Sequence, residues 1–247
     1  MSDKQRFEEL LKIPAASIRM SAGVGTLSEK YLHAFLKVYF EPDAGCREVK
    51  VGRFTADICR GRQITEIQTR SLDKLREKLS YYLSEGYSVR VVFPAAHEKQ
   101  IVWIDPDTGE IVSRRRSNKH FEYCDCFWEL YKIKEFLSEQ GVSVCLMLID
   151  VDEIRTLDGY GRSRKKRATK VDIIPRSLYG CASLGCLRDY EMFLPNSLGE
   201  TFGVREYAGA VGTSEENARS GLKILCSVGA VQMCGKEGRR CLYRRML

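Results

Sequence analysis

No apolar run in this chain is long enough to cross a membrane. The longest clean one, Val144 to Ile149, has a strand's length, against the about 20 residues that a spanning helix needs. The opening Met1-Ser-Asp-Lys-Gln-Arg6 is too polar to begin a secretory signal, so the chain is expected to be soluble and cytoplasmic, with no membrane partner. Histidine is scarce, and His33, His97 and His120 are scattered. Ten cysteines are present, yet none forms a C-x-x-C pair, and neither Cys124-Asp-Cys126 nor Cys181-x4-Cys186 has a second pair at zinc spacing. A structural zinc is therefore not expected, and in a cytosol the thiols should stay reduced. No internal repeat is present, which excludes a solenoid.

What is present is uneven charge. The net value is +7. Residues 111–119 contribute +4 through Arg114, Arg115, Arg116 and Lys119, residues 160–170 contribute +6, and residues 202–247 another +4, leaving the remainder at −7. A chain with an acidic body and three basic places is built to touch a polyanion there, and nucleic acid is the expected one. Arg164, Lys165, Lys166 and Arg167 are the candidates for phosphate contacts in the densest run. A solvated basic loop is the alternative.

The segments Phe54-Thr-Ala-Asp57-Ile-Cys59 and Ile64-Thr-Glu66-Ile-Gln68-Thr69 alternate as two short strands, and Gly61-Arg62 between them is the Gly-X pair of a two-residue type II′ hairpin. If those two residues are the whole loop, Arg60 pairs with Gln63. Counting back then sets Asp57 opposite Glu66 and Thr55 opposite Gln68. Directly opposed side chains have Cβ atoms roughly 5 Å apart, and like charges there are destabilising. Two acids so placed call for a shared proton or a cation, and a hard divalent metal fits best.

Asp57, eight residues, then Glu66-Ile67-Gln68 resembles the signature of the PD-(D/E)XK nuclease superfamily, the restriction-endonuclease-like fold, in which an Asp on one strand precedes Glu-X-Lys on the next. A helix before these strands, another after them and a following strand extend the resemblance over roughly residues 25–95. It implies an α/β fold with a mixed-sheet core and an endonuclease activity: Asp57, Glu66 and the Ile67 carbonyl would hold Mg²⁺ or Mn²⁺, and Gln68 would position the attacking water. The motif lysine is replaced by Gln68, which can hydrogen-bond but carries no charge. Glu29 is a further candidate. On a helix over Leu27–Phe40 it lies within about 60° of the apolar stripe, where the resemblance implies an acid completing the metal site, but Thr26-Leu-Ser-Glu29 also reads as a capping box. Both readings stay open.

The remaining pattern predicts a strand over Arg47–Val51, a helix over Ser71–Leu83 with Lys74, Arg76 and Lys78 on a basic outer face, and a strand over Tyr87–Phe93. A hairpin is expected around Asp105–Gly109, a helix over Phe121–Gln140 and a strand over Val142–Val151. Periodicity breaks at Asp158–Gly161. Near the C-terminus, Val204, Tyr207, Ala208 and Val211 have helical spacing, Gly212 ends that helix, and Thr213-Ser-Glu-Glu216 is a capping box opening a second one. A basic hairpin over Val231–Arg244 follows. Helix, tight turn, helix and hairpin resemble the winged-helix branch of the helix-turn-helix domains, which implies that the second helix enters the DNA major groove and the wing touches backbone. Arg219, Ser220 and Lys223 are then the readers, and Lys236, Arg239 and Arg240 the phosphate contacts.

The organisation expected is a restriction-endonuclease-like domain over 1–157, a basic connecting segment over 158–200 and a winged helix-turn-helix domain over 201–247. The function expected is a DNA-binding, divalent-metal-dependent nuclease. The alternative is a sequence-specific DNA-binding transcription regulator whose nuclease-like core is inactive and serves docking or homodimerisation.

Overall fold

A computed structural model describes residues 2–21, 30–156 and 168–246. The chain is mixed α/β. Its larger sheet follows the order β1-β2-β3-β4-β6-β7, with β5 pairing β4, where β1 is Arg47–Val51, β2 Phe54–Arg60, β3 Gln63–Ile67, β4 Ser88–Ile104, β5 Ile111–Arg116, β6 Val142–Thr156 and β7 Thr169–Leu184. Contacts divide the chain into two compact units. The first holds residues 1–59, 94–121 and 147–181, and the second holds 60–93, 122–146 and 182–247.

In the first unit, α1 (Asp3–Leu11), α2 (Ala15–Ser21) and α3 (Tyr31–Phe40) precede the strands. Ser2 and Gln5 cap α1 reciprocally. Phe7 on α1 is fully buried and meets Phe35 and Tyr39 of α3 edge-on, with ring centroids 4.8 and 5.6 Å away. β1 and β2 form an antiparallel hairpin closed by Gly52-Arg53, the glycine at φ 56°. The second half of β4 pairs antiparallel with β5, whose residues are all exposed.

In the second unit, β3 runs parallel to the first half of β4, Glu66 pairing with Val91. Ile64 to Ile67 are all buried, as expected of a strand covered on both faces. Gly61, at φ 60°, makes the turn before β3. The helix after β3 is a 3₁₀ turn, Leu72–Leu75, running into α4 (Arg76–Ser84), and Leu72, Leu75, Leu79 and Tyr82 are buried. The C-terminal part is β8 (Thr201–Gly203), α6 (Val204–Val211), α7 (Glu215–Ser227), β9 (Val231–Glu237) and β10 (Arg240–Arg245), with a three-stranded sheet in the order β8-β10-β9.

Several expected boundaries move. The strand over 87–93 and the first arm of the hairpin around Asp105–Gly109 are a single strand, β4, which changes partner from β3 to β5 along its length. The helix expected over 121–140 is broken into a 3₁₀ turn at Tyr123–Cys126, the five-residue α5 (Phe127–Tyr131) and another turn at Lys134–Phe136, because Ile133 leaves helical geometry at φ −121°, ψ 20°. The connecting segment expected over 158–200 contains β7 and a 3₁₀ stretch, Leu187–Phe193, that buries Tyr190 and Phe193. Pro175 and the adjoining charge run hide the strand's alternation in the sequence.

Candidate functional site

In the first unit, the four-residue spacing of His33 and Lys37 puts both on one side of α3. His33 Nε2 lies 3.3 Å from Asp57 Oδ2, and Lys37, fully buried, donates to Glu48 Oε1 at 2.5 Å. The two acids stand on neighbouring strands. Glu48 lies on β1 between the pairs Arg47–Ile58 and Val49–Ala56, and Asp57 lies on β2 between the same pairs. Glu48 has φ 53°, the positive region that non-glycine residues seldom adopt, at a cost of about 1–3 kcal/mol. Two carboxylates facing a helix that carries an imidazole and an ammonium can hold or pass a proton. The sequence pattern singles out Asp57, whereas the histidines read as scattered. The i,i+4 spacing of His33 and Lys37 was the available signal.

A second polar group in this unit joins three strands. His97 Nδ1 on β4 lies 3.0 Å from Asp150 Oδ1 on β6, and Ser177 on β7 donates its hydroxyl to Asp150 Oδ2 at 2.7 Å. The Tyr179 ring stacks on His97 at 3.6 Å. Burial works to raise the Asp150 carboxyl, but the hydrogen bonds from Ser177 and His97 outweigh it and hold the group below its ordinary range.

In the second unit, Glu66 is 2% exposed. Lys78 Nζ donates to its two oxygens at 3.0 and 2.8 Å, and the Tyr82 hydroxyl donates to Oε1 at 3.1 Å. Lys78 and Tyr82 are one turn apart on α4 and so reach the same carboxylate. Lys78 therefore does not belong to a basic outer face, because its ammonium neutralises a buried acid. Ile67 is buried beside Glu66. Gln68, just past β3, is half-buried, and its backbone N–H donates to the Val92 carbonyl at 2.9 Å.

The C-terminal elements enclose a groove of about 830 Å³. α6 ends at Gly212, left-handed at φ 71°, and α7 starts three residues later. Its cap is Ser214, whose hydroxyl accepts the Asn217 amide, so the start lies one residue beyond the expected Thr213. The buried face of α7 packs on α5 and α6. Gly221 lies so close to Phe127 that a Cβ there would meet the ring at 2.6 Å. What remains exposed is the stripe Glu215, Arg219, Lys223 and Ser227, with Glu216 beside its start. Glu215, Arg219 and Lys223 form one wall of the groove, Arg205 and Glu206 of α6 another, and Arg239, Arg240 and Tyr243 the third. Arg219 pairs with Glu215 at 2.9 Å, Arg240 pairs with Glu206, and Lys223 Nζ sits 5.2 Å over the Tyr131 ring. The Arg240 guanidinium, with the Gly203 amide, holds the Glu206 carboxyl below its ordinary range.

Ser220 requires correction as a reader. It is 7% exposed, because α7 is packed by helices on two sides and its polar face is narrower than a one-sided wheel implies. The hairpin turns at Gly238-Arg239, which leaves Lys236 exposed on β9. Glu29 and the run Arg164, Lys165, Lys166 and Arg167 lie outside the described residues. Among the described residues no group of three or more His, Cys, Asp or Glu side chains is gathered around a point that could hold a metal ion, and no helix is long and apolar enough to cross a membrane.

A domain family described as a domain of unknown function, DUF8091, matches residues 30–184, from just before α3 to the end of β7. The chain is similar to an uncharacterised protein of Treponema pallidum (strain Nichols), 29% identical over 226 residues, 90% of this chain and 87% of that protein. No solved structure matches.

Proposed function

This chain belongs to the DUF8091 family, and we propose that it is a DNA-binding protein whose α/β part carries a magnesium-dependent phosphodiester-hydrolysing centre. The observation that carries the binding half is the C-terminal groove. Five cations, Arg205, Arg219, Lys223, Arg239 and Arg240, face two acids, Glu206 and Glu215, between an exposed helix stripe and a hairpin. In this reading residues 201–247 act as a winged helix. α7 enters the major groove, which is about 12 Å wide and admits one helix, Arg219 and Lys223 reach base edges, and Arg239, Arg240 and Lys236 meet phosphates. Selecting preferred sites from random duplexes tests it. Arg219→Ala with Lys223→Ala should change the selected sequence, and an unchanged preference would remove α7 as the reader.

For the hydrolytic half, Glu66 and the Ile67 carbonyl are the ligands this unit offers to Mg²⁺. Lys78 and Tyr82 engage the Glu66 carboxylate, and a carboxylate beside a backbone carbonyl is the hard oxygen donor set that Mg²⁺ takes. When bound, the metal supplies charge to the phosphate oxygens and acidifies water. Lys78 contributes the positive charge that Gln68 lacks at the motif position, and Gln68 orients the water. The same observation favours a second reading, a DNA-binding regulator with an inactive core, because a carboxylate already neutralised by Lys78 and Tyr82 is stable without a metal. Nicking of supercoiled DNA with Mn²⁺ separates the two. Activity lost in Glu66→Gln supports hydrolysis, and no nicking by the wild type supports the regulator.

A further inference from the structure

The first unit carries a second concentration of cations, remote in sequence from the C-terminal groove. On β6 the Glu153 carboxylate, 2% exposed, accepts from Arg155 Nε at 2.6 Å and pairs with Lys99 at 3.0 Å and Lys170 at 3.1 Å. The preceding residue, Asp152, pairs with Arg176 at 3.2 Å and Arg114 at 3.7 Å. Successive strand residues point to opposite faces, so on the Glu153 side three cations, from β4, β6 and β7, meet one carboxylate, a local excess of two positive charges. Exposure divides the partners. The Glu153 side chain is 3% exposed, whereas those of Lys99, Arg155 and Lys170 are 31%, 34% and 44% exposed.

The buried acid therefore anchors the cationic heads while their side chains stay partly exposed. A carboxylate has about four acceptor directions, against three donors on each lysine and five on the arginine, so Glu153 cannot satisfy them. At Lys170 burial, with smaller contributions from the charges of Lys99 and Arg155, pushes the ammonium below the ordinary lysine range against the pull of Glu153. Arg155 is held further by Trp103, whose ring lies 6.0 Å from the guanidinium carbon. Heads fixed in place, short of negative charge and open on one side suit a tetrahedral oxyanion that accepts from several donors at once.

We propose that Lys99, Arg155 and Lys170 form a second phosphate-contacting surface for the nucleic-acid backbone, acting in addition to residues 201–247. The inference rests on the DNA-binding reading above for the identity of the anion. The test uses the full chain and a labelled random-sequence duplex, with affinity measured by fluorescence anisotropy across a series of salt concentrations. Lys99→Gln with Lys170→Gln should make the slope of log K against log salt shallower by about 1.8, at about 0.9 per lost phosphate contact. Lys99→Arg with Lys170→Arg should restore it, a rescue that a packing role would not give. Lys99→Gln alone changes a side chain that is already one-third exposed and should remove about 0.9 if the double variant fails to fold. If the wild type binds and Arg239→Ala with Arg240→Ala flattens the slope, while the glutamine variants leave it unchanged, the second surface is refuted and the DNA-binding reading stands. If the wild type binds no duplex even at low salt, both are refuted.

Discussion

Replacing Lys78 with Met tests whether the Glu66 cluster is an ion pair held by burial. The substitution keeps most of the side-chain volume and removes the ammonium from a carboxylate that is 2% exposed and that still accepts from the Tyr82 hydroxyl. Removing one partner of a buried pair typically costs about 3–5 kcal/mol. Lys78 is itself 24% exposed, so water can partly replace it, and a loss of about 2–3 kcal/mol is the better expectation. For a chain of this size 1 kcal/mol corresponds to about 2–4 °C in Tm, giving a fall of roughly 5–10 °C at neutral pH. The sign of the pH dependence follows from the charge left behind. A buried carboxylate that has lost its ammonium takes up a proton more readily folded than unfolded, so the variant's stability relative to wild type should improve as pH falls from 7 towards 5. Thermal unfolding followed by circular dichroism at the two pH values measures both effects. A variant within about 1 °C of wild type, or a deficit equal at both pH values, would refute the reasoning.

Gly221→Ala sets a favourable helix propensity of up to about 1 kcal/mol against a Cβ 2.6 Å from the fully buried Phe127 ring. Overpacking of about 1–3 kcal/mol should win, lowering Tm, and a raised Tm would show that the ring yields freely. The Glu153 carboxyl sits at about 2, held there by Arg155, Lys170 and Lys99 against burial that works to raise it. Because its folded value lies below its unfolded one, the stability it contributes is present above about pH 4.5 and lost as pH falls towards 2, and Glu153→Gln should flatten that part of an acid-unfolding curve. With a thiol reagent at neutral pH, the exposed Cys181, Cys186 and Cys234 should react first. Cys124, pushed up to about 11 by burial, should react only after unfolding, as peptide mapping of the labelled protein would show.

Local signals were legible and non-local ones were not. Gly61-Arg62 and Gly212 mark turns because a positive φ needs glycine at the first and last of those contexts, and both glycines have it. β4 reads as two strands because its change of partner depends on residues far along the chain. Ile133 reads as helical because its spacing from Leu130 and Leu137 is right while its backbone is not. Lys78 looks like one of several outward cations until the fold supplies a buried Glu66, and Ser220 looks exposed until α5 and α6 both pack on α7. The partners of Asp57 show the same limit, since nothing near it in sequence points to His33. Single residues of chemical interest were thus found on the strands, and their partners on the helices were not.

The claim on which the account turns is that the groove between α7 and the β9–β10 hairpin binds duplex DNA through its cations. The most direct measurement is the salt dependence of duplex affinity for the full chain and for Arg239→Ala with Arg240→Ala, followed by fluorescence anisotropy. The account predicts binding at low salt by the wild type, and a slope of log K against log salt shallower by about 1.8 in the double variant, two phosphate contacts at about 0.9 each. Wild-type protein that fails to bind at low salt, or a double variant with the wild-type slope, would contradict it.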